Sequence, residues 1–447
     1  MTDAPLAGTN DHARLPRRER QRVGRRGTPR RPRACIVRQI DVYELMIQRE
    51  AEALVEAGFD VEVICMRHQS RPLRTTINGV EVISLRSSRK RSGKTKARYA
   101  LEYVWFFLLV SVVLAWRHLR RPYAVVQVNT MPDFLVFAAV VPKLFRARVL
   151  AYMHEPSPEL AETIFGPGVI VRLLAFIEQR ALAFADEAIT VTPQLRQRYI
   201  ERGADPERLT VVLNGVAPAT MLGGWTPPAT RATGHFTVVC HGSIEQRYGQ
   251  DTIVEAAALL RGDIPELRII LTGRGTSVPS LTRTIAQLGL EGTVQYEGWV
   301  EPSRLNDILH TADVGVVAQK SSPYSELVQT NKMVDYWIFG LPVIASRLQA
   351  VAEMYDEDVI EYFEPGSALS LAMAIKRLYN DECRRVALSD GGRRAHAEHG
   401  WDVQRVTYIA VVDKLVPWRA PLGHGQRSAK DKPAPRYLST DRSSDVA

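Results

Sequence analysis

Lys332 and Asp335 stand three residues apart in the run NKMVDYWIFGLPVIAS, so a helix there carries a cation and a carboxylate on one face. The helix breaks at Gly340, and Pro342-Val343-Ile344-Ala345 reads as a short buried strand. An ammonium can meet phosphate oxygens, and a carboxylate can accept hydrogen bonds from ribose hydroxyls. The pair therefore suits a nucleotide sugar. The same spacing also fits a surface ion pair on an amphipathic helix, so the surroundings have to decide.

Three glycine turns precede this helix, each at the end of an apolar run: His241-Gly242-Ser243, Gly273-Arg274-Gly275 and Glu297-Gly298-Trp299. Glycine lets a backbone approach a ligand closely, and helix N-termini offer N–H groups to phosphate. Strand-to-helix turns use glycine in any case, so the signal lies in three turns in register. Arg247 is the nearest cation to the first turn, and Arg274 lies within the second. In the first half of the chain, RVLAYMHEPSPE puts His154 and Glu155 just past a buried strand. There a histidine can bind a sugar hydroxyl or assist proton movement; a capping role is the alternative. P-loop, GxGxxG and HExxH patterns are absent, which disfavours an NTPase, a dehydrogenase or a metalloprotease.

The elements that position these residues alternate. ACIVRQ reads as a strand, Tyr43–Ala57 as a helix capped by Gly58, and DVEVIC as the next strand, with Asn78-Gly79 marking a hairpin. VVQVN, RVLAYMH, EAITVT and LTVVLN continue the series. The Pro- and Gly-rich segment 217–234 interrupts it. HFTVVC, LRIILTG, TVQYEG, DVGVVA and LPVIAS form a second series. The pattern predicts an α/β protein with two Rossmann-like domains facing each other across a cleft, with binding groups at the carboxyl ends of the strands.

A chain of 447 residues is too long for a single core. Its net charge of +9 is concentrated at the ends. Residues 1–33 hold ten arginines against three acids (+7) and residues 419–447 six basic against three acidic groups (+3), which leaves 9 − 7 − 3 = −1 for the body. Both ends read as disordered basic tails. No aromatic residue interrupts the arginines of residues 1–33, so nucleic-acid stacking has no support there. Cys35, Cys65, Cys240 and Cys383 show no CxxC spacing and read as free thiols of a reducing compartment. No apolar run follows the basic N-terminus, which argues against a secretory signal and for a cytoplasmic location.

Tyr103–Trp116 is uncharged over fourteen residues, about 21 Å as a helix and short of the roughly 30 Å hydrocarbon core. Cations flank it from Arg86 to Arg121. Two readings stand: a helix on an anionic membrane surface, through residues 86–121, or a core helix beside a basic loop.

Over about residues 34–415 the chain resembles the family 4 glycosyltransferases, retaining enzymes of the GT-B fold. The resemblance is carried by DVYELMIQREAEALVEAGFDVEVI, VVQVNTMPDFLVFAA, VLAYMHEPSPE, CHGSIEQRYGQDTIVEAAALL, LTGRG, YEGWVEPSRLNDILHTADVGVVA and NKMVDYWIFGLPVIAS. It implies an acceptor domain at 34–216, a linker at 217–234, a donor domain at 235–400 and a helix at 401–418 crossing back to the first domain. It implies a nucleotide-diphosphate sugar as co-substrate, UDP-linked, with no metal or other cofactor, and transfer with retention. The acceptor would be a glycan, a lipid-linked precursor or a small molecule, in cell-surface polysaccharide synthesis at the inner face of the cytoplasmic membrane.

His154 matches the family's acceptor-side histidine, with Glu155 beside it. Asp335 takes the place of the second acid of the E-x7-E motif, but the first acid falls on Leu327, with Glu326 next to it. The family's arginine and lysine near the first donor strand are replaced by Ser243 and Tyr248. Arg247 and Lys332 are then the groups expected to stabilise the departing diphosphate, with Arg274 in support and Gly242, Ser243, Gly273, Gly298 and Trp299 lining the donor. These departures motivate one alternative, a non-catalytic scaffold with a decayed donor site. A nucleotide-sugar epimerase on the same fold is the other.

Overall fold

Two sheets organise the chain. The first contains β1 (Arg33–Val37), β2 (Asp60–Met66), β3 (Arg74–Ile77), β4 (Val80–Leu85), β5 (Val125–Asn129), β6 (Arg148–Met153), β7 (Glu187–Thr190) and β8 (Leu209–Val211), in the order β3-β4-β2-β1-β5-β6-β7-β8. Its strands are parallel except β3, which joins β4 antiparallel through Asn78-Gly79, both at positive φ. The second contains β9 (Phe236–His241), β10 (Leu267–Thr272), β11 (Val294–Gly298), β12 (Val314–Val317), β13 (Val343–Ser346) and β14 (Ile360–Phe363), all parallel, in the order β11-β10-β9-β12-β13-β14. β1, β5, β7, β9 and β12 are buried at every position, as parallel strands covered on both faces must be. β14 is the strand that the sequence pattern does not announce.

This computed structural model describes residues 31–39, 45–67, 72–85, 96–222, 224–226 and 234–417, and those from Pro32 onward belong to one compact unit. The two tails fall almost entirely outside the described residues. Arg33, counted with the first tail by composition, instead opens β1. Its guanidinium is paired with the buried Glu62 and lies 4.3 Å from the Tyr123 ring centroid. Within 217–234 the described part contains a short helix, Pro218–Leu222, and Trp225 donates to Asp307 at 2.8 Å, fastening the segment to the second half.

Helix α1 (Leu45–Glu56) covers one face of the first sheet together with the C-terminal helix Trp401–Leu415. Trp401, Tyr408, Val411, Val412 and Leu415 are part of the first half's apolar core. Tyr408 donates to Gln127 on β5 at 2.6 Å, and the Arg49 guanidinium lies 4.2 Å from the Trp401 ring centroid.

Helix α2 spans Lys96–Arg120, about 37 Å, longer than the uncharged run indicates because it continues through the flanking cations. Basic residues in its last turn complement the helix dipole. By length and composition Leu101–Arg120 could cross a membrane, contrary to the shorter reading. Its inner face nevertheless belongs to the first half's core through Phe106, Val110 and Leu114. Arg117 pairs with Glu62 and Glu81 on the sheet. The region 86–95 lies outside the described residues.

The halves meet at the carboxyl ends of their strands. Tyr324, Leu327 and Val328, from the loop after β12, are buried in the core of the first half. The Thr192 hydroxyl after β7 donates to the Leu327 carbonyl at 2.6 Å.

Candidate active site

In the second half, β9 ends in His241, Gly242 follows it, and the helix Asn331–Ile338 starts opposite them. Gly242 has φ +100, and a Cβ there would lie 2.8 Å from Cε of Lys332. The lysine stem thus packs under the glycine turn, and its Nζ sits 4.5 Å from the Tyr248 ring centroid. The Arg247 guanidinium is 4.8 Å from the same ring and 6.0 Å from that of Tyr324. Tyr248, standing where the family has lysine, is therefore the aromatic platform shared by two cations.

Asp335 faces His241, with Oδ2 to Nε2 at 3.5 Å. Burial pushes the Asp335 carboxyl up to about 7, a shift that the nearby Lys332 partly offsets. Burial, reinforced by Lys332, pushes His241 down to about 3, and burial also lowers the Lys332 ammonium. At neutral pH the imidazole is neutral, so this contact is not an ion pair. A buried lysine and a buried carboxyl side by side at a strand-end glycine turn suit a ligand that brings phosphate oxygens to the first and hydroxyls to the second.

The other expected donor residues occupy the same carboxyl edge. Ser243 is exposed, and its carbonyl accepts from Gln250 at 2.9 Å. Gly273 has a different reason to be glycine: a Cβ there would collide with the Gly242 carbonyl, at 1.7 Å, so its close approach is to backbone. Gly298, at φ +70, faces open space. Trp299 is half exposed, and Arg274 lies over its ring at 4.9 Å. These two sit at the ends of β11 and β10, strands beyond the β9 end that carries Gly242.

Leu327 and Glu326 have structural occupations. Leu327 is 5% exposed inside the first half's core. The Glu326 carboxylate accepts from the Gln349 N–H at 2.7 Å and the Ser321 hydroxyl at 2.5 Å, pinning the loop. The missing motif acid is thus a position given to interdomain packing.

On the opposite side His154 follows β6, stacked on Tyr152 at 4.2 Å. Burial, with Arg38 and Arg49 nearby, holds its imidazole well below the ordinary range, so it is a neutral acceptor or donor. Glu50 of α1 lies 4.0 Å away, fully buried, with Oε2 accepting from Gln127 and Asn129 at 2.7 Å each. Burial raises its carboxyl. Neither Glu50 nor His241 stands out in the sequence: Glu50 is one of several acids on an amphipathic helix, and His241 simply precedes a glycine turn. Glu155 reaches across the halves and accepts from Tyr324 at 2.7 Å.

Residues 43–215 match the family description "Glycosyl transferase 4-like domain", and residues 235–381 match "Glycosyl transferases group 1". The chain belongs to the family 4-type glycosyltransferases. A phosphatidyl-myo-inositol mannosyltransferase of Propionibacterium freudenreichii is 26% identical over 265 residues, 57% of this chain and 61% of that protein. The lipopolysaccharide core biosynthesis glycosyltransferase LpsE of Rhizobium meliloti is 28% identical over 156 residues, 35% of this chain and 43% of its own length. The chain thus spans less than two thirds of these relatives. Among solved structures, sucrose-phosphate synthase from Thermosynechococcus elongatus superposes with a TM-score of 0.68 at 17% identity, covering 87% of this chain and all of that one. Anabaena HepE in complex with UDP-glucose gives 0.66 at 15%, covering 86% and 99%. The architecture of this glycosyltransferase family member is GT-B.

Proposed function

We propose that this chain transfers a sugar from a UDP-sugar to an acceptor bound against the first sheet, with retention at the anomeric carbon. The observation that carries this reading is the Lys332 side chain packed under Gly242 beside Asp335, at the edge that meets the His154–Glu155 strand end. Arg247 and Lys332 would stabilise the diphosphate as charge develops on its departure. Asp335 would hold the ribose. Neutral His154 would orient the acceptor hydroxyl, with Glu50 setting the polarity around it. Front-face attack needs no glycosidase-type carboxylate pair.

UDP as the nucleotide is supported by the HepE complex with UDP-glucose. A lipid-linked or glycan acceptor of cell-surface polysaccharide synthesis, met at the cytoplasmic face of the membrane, is supported by relatives named for phosphatidyl-myo-inositol and lipopolysaccharide core.

Calorimetric titration with UDP, GDP and ADP tests the donor half of the reading. UDP is expected to bind selectively and to be weakened by ~1–3 kcal/mol in Lys332→Ala and in Asp335→Ala. Absence of binding by all three nucleotides would defeat it and return the scaffold alternative.

A further inference from the structure

Helix α2 is uncharged on every side from Tyr103 to Trp116, yet only 22% of its apolar window within Leu101–Arg120 is buried. Phe106, Val110 and Leu114 recur at four-residue steps and fill the core. Leu101, Trp105, Leu108, Val112, Trp116 and Leu119 recur on the opposite side and are 46–69% exposed. A helix apolar on both faces is ordinarily covered on both.

A second helix repeats the anomaly. Helices α4 (Ser157–Phe165) and α5 (Val169–Phe184) pack against each other, and α5 buries only Glu178, Ala181 and Leu182, all in its second half. Its first half presents Val169, Ile170, Leu173 and Phe176 at 53–71% exposure, and Phe165 at the end of α4 is 50% exposed. The two surfaces lie on one side of the sheet. The 3-10 segment Asp133–Ala139 contacts both α2 and α5, with Phe134 edge-on to Phe107 at 5.6 Å and Phe137 edge-on to Phe184 at 5.3 Å. Helix α3 (Val140–Leu144) continues from that segment and adds exposed Val140 and Leu144 between them. Exposed apolar side chains on four helices of one side of a sheet are uncommon on a free monomer.

Its rim is cationic and aromatic. Arg120 lies 3.8 Å from the Trp116 ring centroid, Arg180 lies 5.0 Å from that of Phe176, and Arg172 is exposed on α5. Arg121 and Arg148, with side chains 60% and 59% exposed, face Asp60 at 2.6 Å and Asp186 at 3.6 Å, so their charge is offset there. Glu159 and Glu178, the acids of α4 and α5 nearest the core, are buried against Arg202. Apolar side chains ringed by arginine and tryptophan match a lipid surface with anionic headgroups.

We infer that α2, α3 and the α4–α5 pair form a single docking face for an anionic lipid bilayer, with the apolar turn between Phe165 and Ile170 entering the headgroup region. Helix α4 starts three residues after His154, so a bilayer seated on this face lies beside the acceptor end of the cleft. The consequence for catalysis rests on the proposed transferase reading: the acceptor is a membrane lipid taken up from that surface. Docking itself does not depend on that reading.

Flotation of the full chain with vesicles of phosphatidylcholine, alone or mixed with phosphatidylglycerol, tests the inference, together with quenching of tryptophan fluorescence by brominated acyl chains. The wild type is expected to float with the mixed vesicles and to be quenched through Trp105 and Trp116. The double substitution Ile170→Asp, Leu173→Asp and the single Val112→Asp alter exposed positions. Each is expected to lower vesicle partitioning at least tenfold while leaving UDP affinity unchanged. Equal flotation of wild type and both variants, or no flotation of the wild type, would overturn the inference. A dimer in sedimentation velocity that these variants dissolve would overturn it in favour of a second copy. Vesicle binding without UDP binding would uphold docking while removing the donor reading.

Discussion

The Tyr324 hydroxyl donates to the Glu155 carboxylate at 2.7 Å, so a residue of the second half holds the residue next to His154 in the first half. Tyr324 also presents its ring to Arg247 at 6.0 Å, which places one side chain in contact with both sides of the cleft. Tyr324→Phe keeps the packing and removes the bond. A hydrogen bond to a charged group contributes ~1.5–3 kcal/mol, and the loss should fall on turnover more than on UDP affinity. Steady-state kinetics beside calorimetry separate the two; a change confined to UDP affinity would refute the coupling.

Gly242→Ala brings a Cβ to 2.8 Å from Lys332 Cε at a backbone φ of +100. The lysine must move, and the backbone is strained by ~1–2 kcal/mol. UDP affinity is expected to fall about tenfold or more. Lys332→Met, which keeps the stem and removes the charge, should weaken UDP comparably while leaving the melting temperature near that of the wild type. Calorimetry and thermal melts check both.

Asp335 links pH to stability and to binding. Its folded pKa of about 7 lies above the value of an unfolded aspartate, so the folded protein holds that proton more tightly. The stabilisation is fully present below about pH 4 and is lost as pH rises through about 7. Asp335→Asn should therefore flatten the decline in ligand-free stability between these limits, by ~1–3 kcal/mol. Ribose hydroxyls favour the ionised carboxylate, so UDP affinity should rise through neutral pH in the wild type and not in Asp335→Asn. Burial lowers the Lys332 ammonium, so loss of its proton at higher pH acts in the opposite direction. Thermal melts and calorimetry across this range check the sign.

Leu327→Glu restores the family's motif acid on paper. In this structure it buries a carboxylate where Leu327 is 5% exposed in an apolar core, costing roughly 2–5 kcal/mol. A lower melting temperature without a gain in turnover is expected. A tolerated substitution that raises activity would instead favour the decayed-site reading.

Local pattern alone determined much of this protein. Continuous apolar runs produced the parallel strands, Asn78-Gly79 produced the hairpin, and the spacing of Lys332 and Asp335 put them on one helix face. These outcomes depend on period and turn chemistry within a few residues. Only the tertiary structure decided what faces those residues. That Tyr248 lies between Arg247 and Lys332, that Glu50 stands beside His154, and that Leu327 belongs to the other half's core are all contacts between distant segments. The four-residue β14 gives too short a pattern to read, and the exposed side of α2 is as apolar as its buried side. Periodicity reports which residues share a face, whereas burial depends on whether another part of the chain arrives to cover it.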